Sequence, residues 1–491
     1  MDIKNINSKI NFAGLIMMIM SIPHFTPAKD SEKDSPNIIY IMLDDLGYFN
    51  FTCYGGKSVK GNEFHTSNMD RLAEQGMHFT QVHSRAMYAP TRQVLMTGKG
   101  LYHPGVERTP AMEIPWIPQI LHDAGYTTGI SGKWMLGDLN PVERGFDEAF
   151  IWAGNYEYWA PKIIVFNSGG FMQEKNQPQG IDIGTTCFDV PVGGGPGKAE
   201  VLEGKFGPHL INNFAVDFIN RHAEEKFFLY YPMKLIHVPY FDLPGSGKEG
   251  NGARYIEHAD SLIQNVIDAV DKAGIAEKTL IVVTSDNGFS WQDQVEVQAG
   301  VEKFPGSKGS TLEGSTRVPF IVRCPGMVEA GSTYNGLVDF SDILPTFTQV
   351  AQTKLPAGET WKGRSFLPQL LGDEGNPRDW VYIHWGGHPI PTEREVGEYF
   401  EKGDIMRYVR GVRYKLYGDG RFYDMENDIR EKSNILLGRG SKEAEAVRRE
   451  SQSVLNLYDD HVKEAKHAEQ AEVGEFDLSK LPPPIIDAYK F

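Results

Sequence analysis

The stretch Asn37-Ile38-Ile39-Tyr40-Ile41-Met42-Leu43-Asp44-Asp45 decides how the chain is read: an uncharged, largely apolar run leads straight into two carboxylates. A short unbroken apolar run predicts a strand buried on both faces, as in a parallel sheet covered by helices. The pattern recurs far downstream, where Leu280-Ile281-Val282-Val283-Thr284 runs into Ser285-Asp286-Asn287. Open parallel sheets gather their ligands at the carboxyl ends of the strands, so both acid sets are expected in one crevice. Adjacent carboxylates repel unless a cation lies between them. Asp44, Asp45, Asp286 and Asn287 together offer only oxygen donors, which suit one hard divalent ion, Ca2+ first and Mg2+ second. Each motif alone reads equally well as a turn, because Asp, Asn and Gly favour turns; it is their joint occurrence after buried strands that points to a metal.

Outward from these two runs, residues 127–130, 227–231 and 320–323 are further buried-strand candidates. Between them Ala259, Leu262, Ile263, Val266, Ile267 and Val270 repeat at helical spacing with Gly274 as a stop, and residues 68–74 and 115–124 form shorter helices ahead of Gly76 and Gly125. This alternation predicts an α/β fold, a mainly parallel central sheet sandwiched by helices, over residues 36–371. Residues 151–210 break the rhythm and read as a surface insertion. Residues 372–491, with a strand-like run at 382–385, a hairpin-like region at 407–423 and an acidic helix-prone tail, are expected to form a smaller C-terminal α+β subdomain.

The 491 residues carry a net charge of −16, which argues against nucleic acid as a partner, since coating a polyanion needs an excess of Lys and Arg. Cys53, Cys187 and Cys324 lack the paired spacing of a zinc site and leave room for one long-range disulfide. Residues 12–23, FAGLIMMIMSIP, follow Lys4 and Lys9 and precede the small residues around Ala28. Such a run is too short to span a bilayer, so residues 1–28 read as a signal peptide and the protein as exported, periplasmic or secreted, with no integral membrane segment once it is removed.

Tyr88-Ala89-Pro90-Thr91-Arg92 opens a helix that Gly98 stops. Its N-terminus attracts anions, and Arg92 one turn in adds a charged fork. Trp152, Tyr156, Tyr158 and Trp159 present ring faces on which sugars can stack, although such clusters also serve core packing. His384 and His388 flank Trp385-Gly386-Gly387.

Taken together, these motifs resemble the sulfatase family of the alkaline-phosphatase-like superfamily from about residue 37 to 371. Asn68-Met69-Asp70-Arg71-Leu72-Ala73 is similar to the family's first helix, and Gly132-Lys133-Trp134-Met135-Leu136-Gly137 to its Gly-Lys-Trp-His-Leu-Gly motif, with Arg144-Gly145-Phe146-Asp147 behind it. Phe227-Phe228-Leu229-Tyr230 with His237, then Lys308-Gly309, Glu313-Gly314 and Arg317-Val318-Pro319-Phe320, continue the match. Arg413-Tyr414-Lys415-Leu416 and the Phe422 to Asp428 segment are similar to its C-terminal signatures. The resemblance implies that Asp44, Asp45, Asp286 and Asn287 hold the divalent ion, usually calcium. It further implies that Arg92, Lys133, His237 and Lys308 surround the sulfate and the leaving oxygen, and that substrate-binding loops lie near His384 and His388, while Trp152 and Trp159 remain candidates for stacking on a glycan substrate.

Two positions depart from the family pattern. Tyr88 stands where members carry the Cys or Ser that is oxidised to formylglycine, and no formylglycine can be made from tyrosine. Met135 stands where they carry the histidine that handles that nucleophile's proton, and a thioether is no base. The expectation is a metal site built for sulfate monoesters, on a glycan or a small aryl ester, with hydrolysis impaired or lost. The alternatives are a non-catalytic binder of sulfated ligands, or a phosphate or phosphonate ester hydrolase using Tyr88 or Thr91 as nucleophile.

Overall fold

The computed structural model describes residues 35–56, 64–99, 114–136, 140–151, 158, 163–166, 170–173, 199–201, 206–245, 250–290, 304–357, 362–386 and 405–458. The proposed signal peptide, Trp152, Tyr156, Trp159, Cys187 and His388 lie outside the described residues.

The first eleven strands are β1 (Asn37–Leu43), β2 (Met77–His83), β3 (Thr127–Gly132), β4 (Glu148–Ile151), β5 (Ile163–Phe166), β6 (Gly170–Gln173), β7 (Ala199–Val201), β8 (Phe227–Pro232), β9 (Thr279–Ser285), β10 (Arg317–Arg323) and β11 (Ser332–Asp339). Eight of them build the central sheet in the order β11-β2-β10-β9-β1-β8-β3-β4. Every neighbouring pair is parallel except the two that involve β10, which runs antiparallel to both β2 and β9.

The first strand shows why this sheet needs two helical layers. Side chains alternate across a strand. Ile39, Ile41 and Leu43 enter one core with α1 (Ser67–Glu74), α4 (Gly207–Arg221) and α5 (Gly252–Lys272). Ile38, Tyr40 and Met42 enter the other, with α2 (Tyr88–Thr97) and α3 (Ile117–Asp123). All six of these β1 side chains are at most 1% exposed, so burial on both faces accounts for the absence of polar alternation. Helix α5 starts earlier than its apolar repeat, because the Asn251 side chain caps the amide of Arg254 at 3.0 Å.

After β9 come the single-turn α6 (Glu313–Thr316), then α7 (Ile343–Val350) and α8 (Leu367–Leu370). A second sheet of order β12-β13-β14-β15 follows, antiparallel throughout, made of Val381–Gly386, Ile405–Arg410, Tyr414–Tyr417 and Phe422–Asp424. One of its faces packs under α9 (Lys442–Leu457) through Val409, Leu416 and Leu455. The other meets Leu337 of β11 through Val381, Ile383 and Tyr408.

Within residues 151–210 the structure adds short strands to the expected insertion. Strands β5, β6 and β7 form a three-stranded antiparallel sheet in what reads as an aperiodic insertion. Strands of three or four residues are too short to display an alternation. Cys53 and Cys324 are free thiols, so no disulfide joins them. Among the described residues, no helix is long and apolar enough to cross a membrane.

Candidate active site

Neighbouring strands β1 and β9 run parallel with Leu43 opposite Ser285, so their carboxyl ends deliver Asp44, Asp45, Asp286 and Asn287 to the same edge. All four are fully buried. The turn after β1 places Asp45 in the left-handed region at φ 62°, a conformation that Asp tolerates better than most side chains. The Asp45 amide donates to Asp286 Oδ1 at 3.2 Å, and Asn287 Nδ2 donates to Asp45 Oδ1 at 2.9 Å. Gly288 follows because nothing larger fits, as a Cβ there would lie 1.7 Å from the Gly314 carbonyl oxygen.

Three cations from three other segments face these acids. Arg92, on α2 and fully buried, donates from Nη2 to Asp286 Oδ2 at 2.8 Å and from Nη1 to the Lys133 carbonyl at 2.6 Å. Lys133, just past β3, puts Nζ on Asp44 Oδ2. Lys308 straddles Asp45, with Nζ 2.8 and 2.7 Å from its two carboxylate oxygens. Burial works against the charge of Asp44, yet Lys133 overrides it and holds the carboxyl well below its usual range. Asp286 goes the other way, raised by burial and by the nearby Asp44 charge.

His237, in the loop after β8, completes the cluster. Its Nδ1 contacts the Val238 carbonyl, which only accepts, so that nitrogen carries the proton and Nε2 turns its lone pair toward Lys308 Nζ at 3.4 Å. Burial, reinforced by the Lys308 charge, pushes His237 down to about 4, so the ring is neutral near pH 7. Lys308, whose charge Asp45 stabilises against burial, is then the protonated member of this pair.

The donor set fits a hard divalent cation. Asp44 Oδ1 and Asn287 Oδ1 are buried acceptors without a hydrogen-bond partner among the described residues. Orphaned acceptors beside clustered carboxylates are what an oxygen-ligated ion satisfies. Among the described residues, Asp44, Asp45 and His237 also each offer a ligand atom within 4.8 Å of the others. That grouping adds a nitrogen donor that the acid motifs alone do not announce.

At the mouth stands Tyr88, the first residue of α2 and half-buried. Lys133 Nζ lies 4.7 Å and Lys308 Nζ 5.8 Å from its ring centroid. Thr91, the other hydroxyl of this helix, is buried, and its Oγ1 both accepts from the Arg85 amide and donates to the Met87 carbonyl, at 2.9 Å each. Met135, two residues beyond Lys133, is half-buried at φ 53°, a backbone costing about 1 kcal/mol for such a residue.

The remaining sequence-derived candidates are placed elsewhere. His384 lies in β12 at 1% exposure, its ring 5.8 Å from that of Tyr382. Tyr158 is a core residue, fully buried and stacked on Phe206, and its hydroxyl donates to the backbone carbonyls of Lys234 and His237. It thus braces the His237 loop instead of offering its face to a sugar. Two supporting residues escape sequence reasoning. Ser285 Oγ accepts from the Leu46 amide at 3.0 Å and donates to the Asn287 carbonyl at 2.9 Å, tying the two acid turns together. Lys234 is 1% exposed with Nζ 4.9 Å over the Tyr158 ring. Its signal is a lone lysine between a buried strand and an apolar turn.

The family model described as Sulfatase matches residues 36–353, and the one described as N-sulphoglucosamine sulphohydrolase, C-terminal, matches residues 307–458. An N-acetylgalactosamine-6-O-sulfatase of Bacteroides thetaiotaomicron is 28% identical, over 83% of this chain and 91% of that protein. Arylsulfatase G of Homo sapiens is 26% identical, over 94% of this chain and 95% of that protein. Among solved structures, Ps i-CgsB in complex with k-i-k-neocarrahexaose superposes with a TM-score of 0.65 at 25% identity, covering 86% of this chain and 92% of that one.

Proposed function

The chain belongs to the sulfatase family, and we propose that within it this protein is a degenerate member: it holds one calcium ion and a sulfated glycan or aryl sulfate, and formylglycine-dependent hydrolysis is impaired or lost. The observation that carries this reading is Tyr88 at the N-terminus of α2, its ring centroid 4.7 and 5.8 Å from the amines of Lys133 and Lys308, which face the acid cluster.

Asp44, Asp45, Asp286 and Asn287 would hold the ion, which when bound supplies Lewis-acid charge at a sulfate oxygen. The other roles belong to the protein. The three carboxylates are matched by three cations, so a divalent ion makes the cleft net positive, as an anionic ester requires. Arg92, set by the Lys133 carbonyl and Asp286, orients the anion. Lys308, protonated beside a neutral His237, can donate to a departing alkoxide oxygen, while the His237 lone pair can receive the replacing proton. The attacking group is what fails, because Tyr88 supplies no hydrated aldehyde and Met135 no base.

Hydrolysis through the Tyr88 phenol is the second reading, favoured by the two amines over its ring, which stabilise a phenolate. Thr91, with its hydroxyl spent on the backbone, is the weaker nucleophile. Export of the mature chain, removal of residues 1–28 and a division near residue 371 are part of the same proposal.

The test is turnover of aryl sulfate and aryl phosphate by the purified protein with and without Ca2+, alongside calorimetric binding of a sulfated oligosaccharide. The expected result is calcium-dependent binding with no sulfate release above buffer; clear metal-dependent turnover of the sulfate ester would overturn the degenerate reading. Joint Tyr88→Cys and Met135→His, expressed with the formylglycine-generating machinery, is expected to raise sulfatase activity by at least about 10²-fold, the typical contribution of one proton-transfer group. A silent double variant would show that more than the nucleophile has been lost.

A further inference from the structure

On the far side of Tyr158, helices α4 and α5 bring two imidazoles together: His209 Nε2 and His258 Nε2 are 3.0 Å apart, with ring centroids at 5.0 Å. Phe206 packs edge-on against both rings, at 5.1 and 5.8 Å, and both histidines are partly exposed. The chemistry proposed for the strand-end cleft uses neither residue.

We propose that His209 and His258 form a two-imidazole site for a borderline divalent transition metal such as Zn2+. Metal–imidazole bonds of about 2.0–2.1 Å with angles between a right angle and a tetrahedral one separate the two nitrogens by about 2.9–3.4 Å. The observed 3.0 Å falls within that bite. Imidazole suits Zn2+, Cu2+ and Ni2+, whereas Ca2+ demands oxygen, so this site and the acid cluster select different ions.

The pair is held for the purpose by its helices. One turn along α4 from His209, Asn212 donates to the Leu262 carbonyl on α5 at 2.8 Å and accepts from Asn265 Nδ2 at 2.9 Å. Asn212 is 1% exposed, and buried polar bonds of this kind fix register between elements. The approach of the two rings is therefore built into the α4–α5 packing and costs little to maintain when an ion binds. Burial, with the neighbouring His209, pushes His258 down to about 4, so protons do not compete for the pair near neutrality. In the ion-free pair one Nε2–H donates to the other Nε2. On metal binding that ring moves its proton to Nδ1, both Nε2 lone pairs face the ion, and no net proton is released. The partly exposed side leaves the other coordination positions to water.

Equilibrium dialysis of the full chain against Zn2+ in excess Ca2+ decides the matter. The expected result is that His209→Ala and His258→Ala each bind one zinc equivalent fewer than the parent chain, and that the zinc-induced rise in melting temperature is lost in both. Unchanged zinc stoichiometry in the variants would overturn the site and leave an ordinary N–H···N bond. If His258→Ala does not fold, His209→Ala at the start of α4 decides alone, its fold checked by a metal-free melting temperature equal to the parent's.

Discussion

Two buried charge clusters sit near each other in this protein, and they are built on opposite principles. In the second, Glu313 of α6 pairs with Arg410 Nε of β13 at 2.9 Å and with Arg317 at 3.5 Å. Lys415 of β14 donates to Glu431 at 2.7 Å and to the Thr311 carbonyl at 2.6 Å, and the Tyr417 hydroxyl takes the other Glu431 oxygen at 2.6 Å. Both oxygens of each of these carboxylates have a partner. The strand-end cluster is as deeply buried, yet it leaves Asp44 Oδ1 and Asn287 Oδ1 without one among the described residues. Buried charge alone therefore does not mark a site. What marks the strand-end cluster is unmet oxygen-acceptor capacity among clustered carboxylates, which an oxygen-ligated ion can satisfy.

The largest effect that could break this contrast is loss of Glu313. Glu313→Ala would strand Arg410 at 1% side-chain exposure, and removing one partner of a buried pair costs about 3–5 kcal/mol. Urea denaturation should record that loss equally with and without Ca2+. A cost below about 1 kcal/mol would mean that the second cluster contributes no structural lock.

Next in size is metal linkage at the first cluster. Calcium at 100 times its dissociation constant should stabilise the parent chain by about 2.7 kcal/mol. Asp44→Asn should abolish that increment, whereas a folded Glu313→Gln variant should retain it. An increment that survives Asp44→Asn would move the ion away from the strand ends.

How far this contrast was legible in the sequence depends on distance along the chain. The acid pairs announce themselves because each directly follows its strand, and Arg92 because a proline-started helix frames it. The partners of the second cluster do not, since Glu313 and Arg410 are 97 residues apart and meet only when β13 docks beside α6. The same holds for β10, whose sequence reads as one more buried strand although it alone runs against its neighbours. The strand-like run at 382–385 was legible, but the burial of His384 within it follows from pairing with β13, which no local signal announces. Helix α2 was readable at both ends because proline at its start and Gly98 at φ 63° are local signals.

Acid titration should separate the clusters more gently. His83 is fully buried, with neither ring nitrogen partnered among the described residues, and burial pushes it down to about 3 in spite of Glu313. Its folded value lies below the unfolded one of about 6.5, so the unfolded chain binds the extra proton first. The stability contributed by neutral His83 is thus complete above about pH 6.5 and declines as pH falls toward 3, by about 2 kcal/mol at pH 5. His83→Leu should flatten the fall between pH 6.5 and 5 by that amount. An unaltered slope would assign the acid sensitivity to His237 and the other buried histidines.

The smallest expected effect bears directly on the mouth of the first cluster. Tyr88→Phe keeps the ring beside Lys133 and Lys308 and removes only the hydroxyl. If the ring occupies a site that has lost its nucleophile, calcium-dependent binding of a sulfated oligosaccharide should change by less than about twofold, because cation–π attraction depends on the ring face. Any residual ester hydrolysis should likewise be unchanged. If the phenol is the nucleophile, the same variant should lose that hydrolysis entirely, since no other hydroxyl of α2 is free of the backbone to replace it. The two readings of the cleft thus differ by one oxygen atom, and a rate measured on Tyr88→Phe separates them even where the parent rate is low.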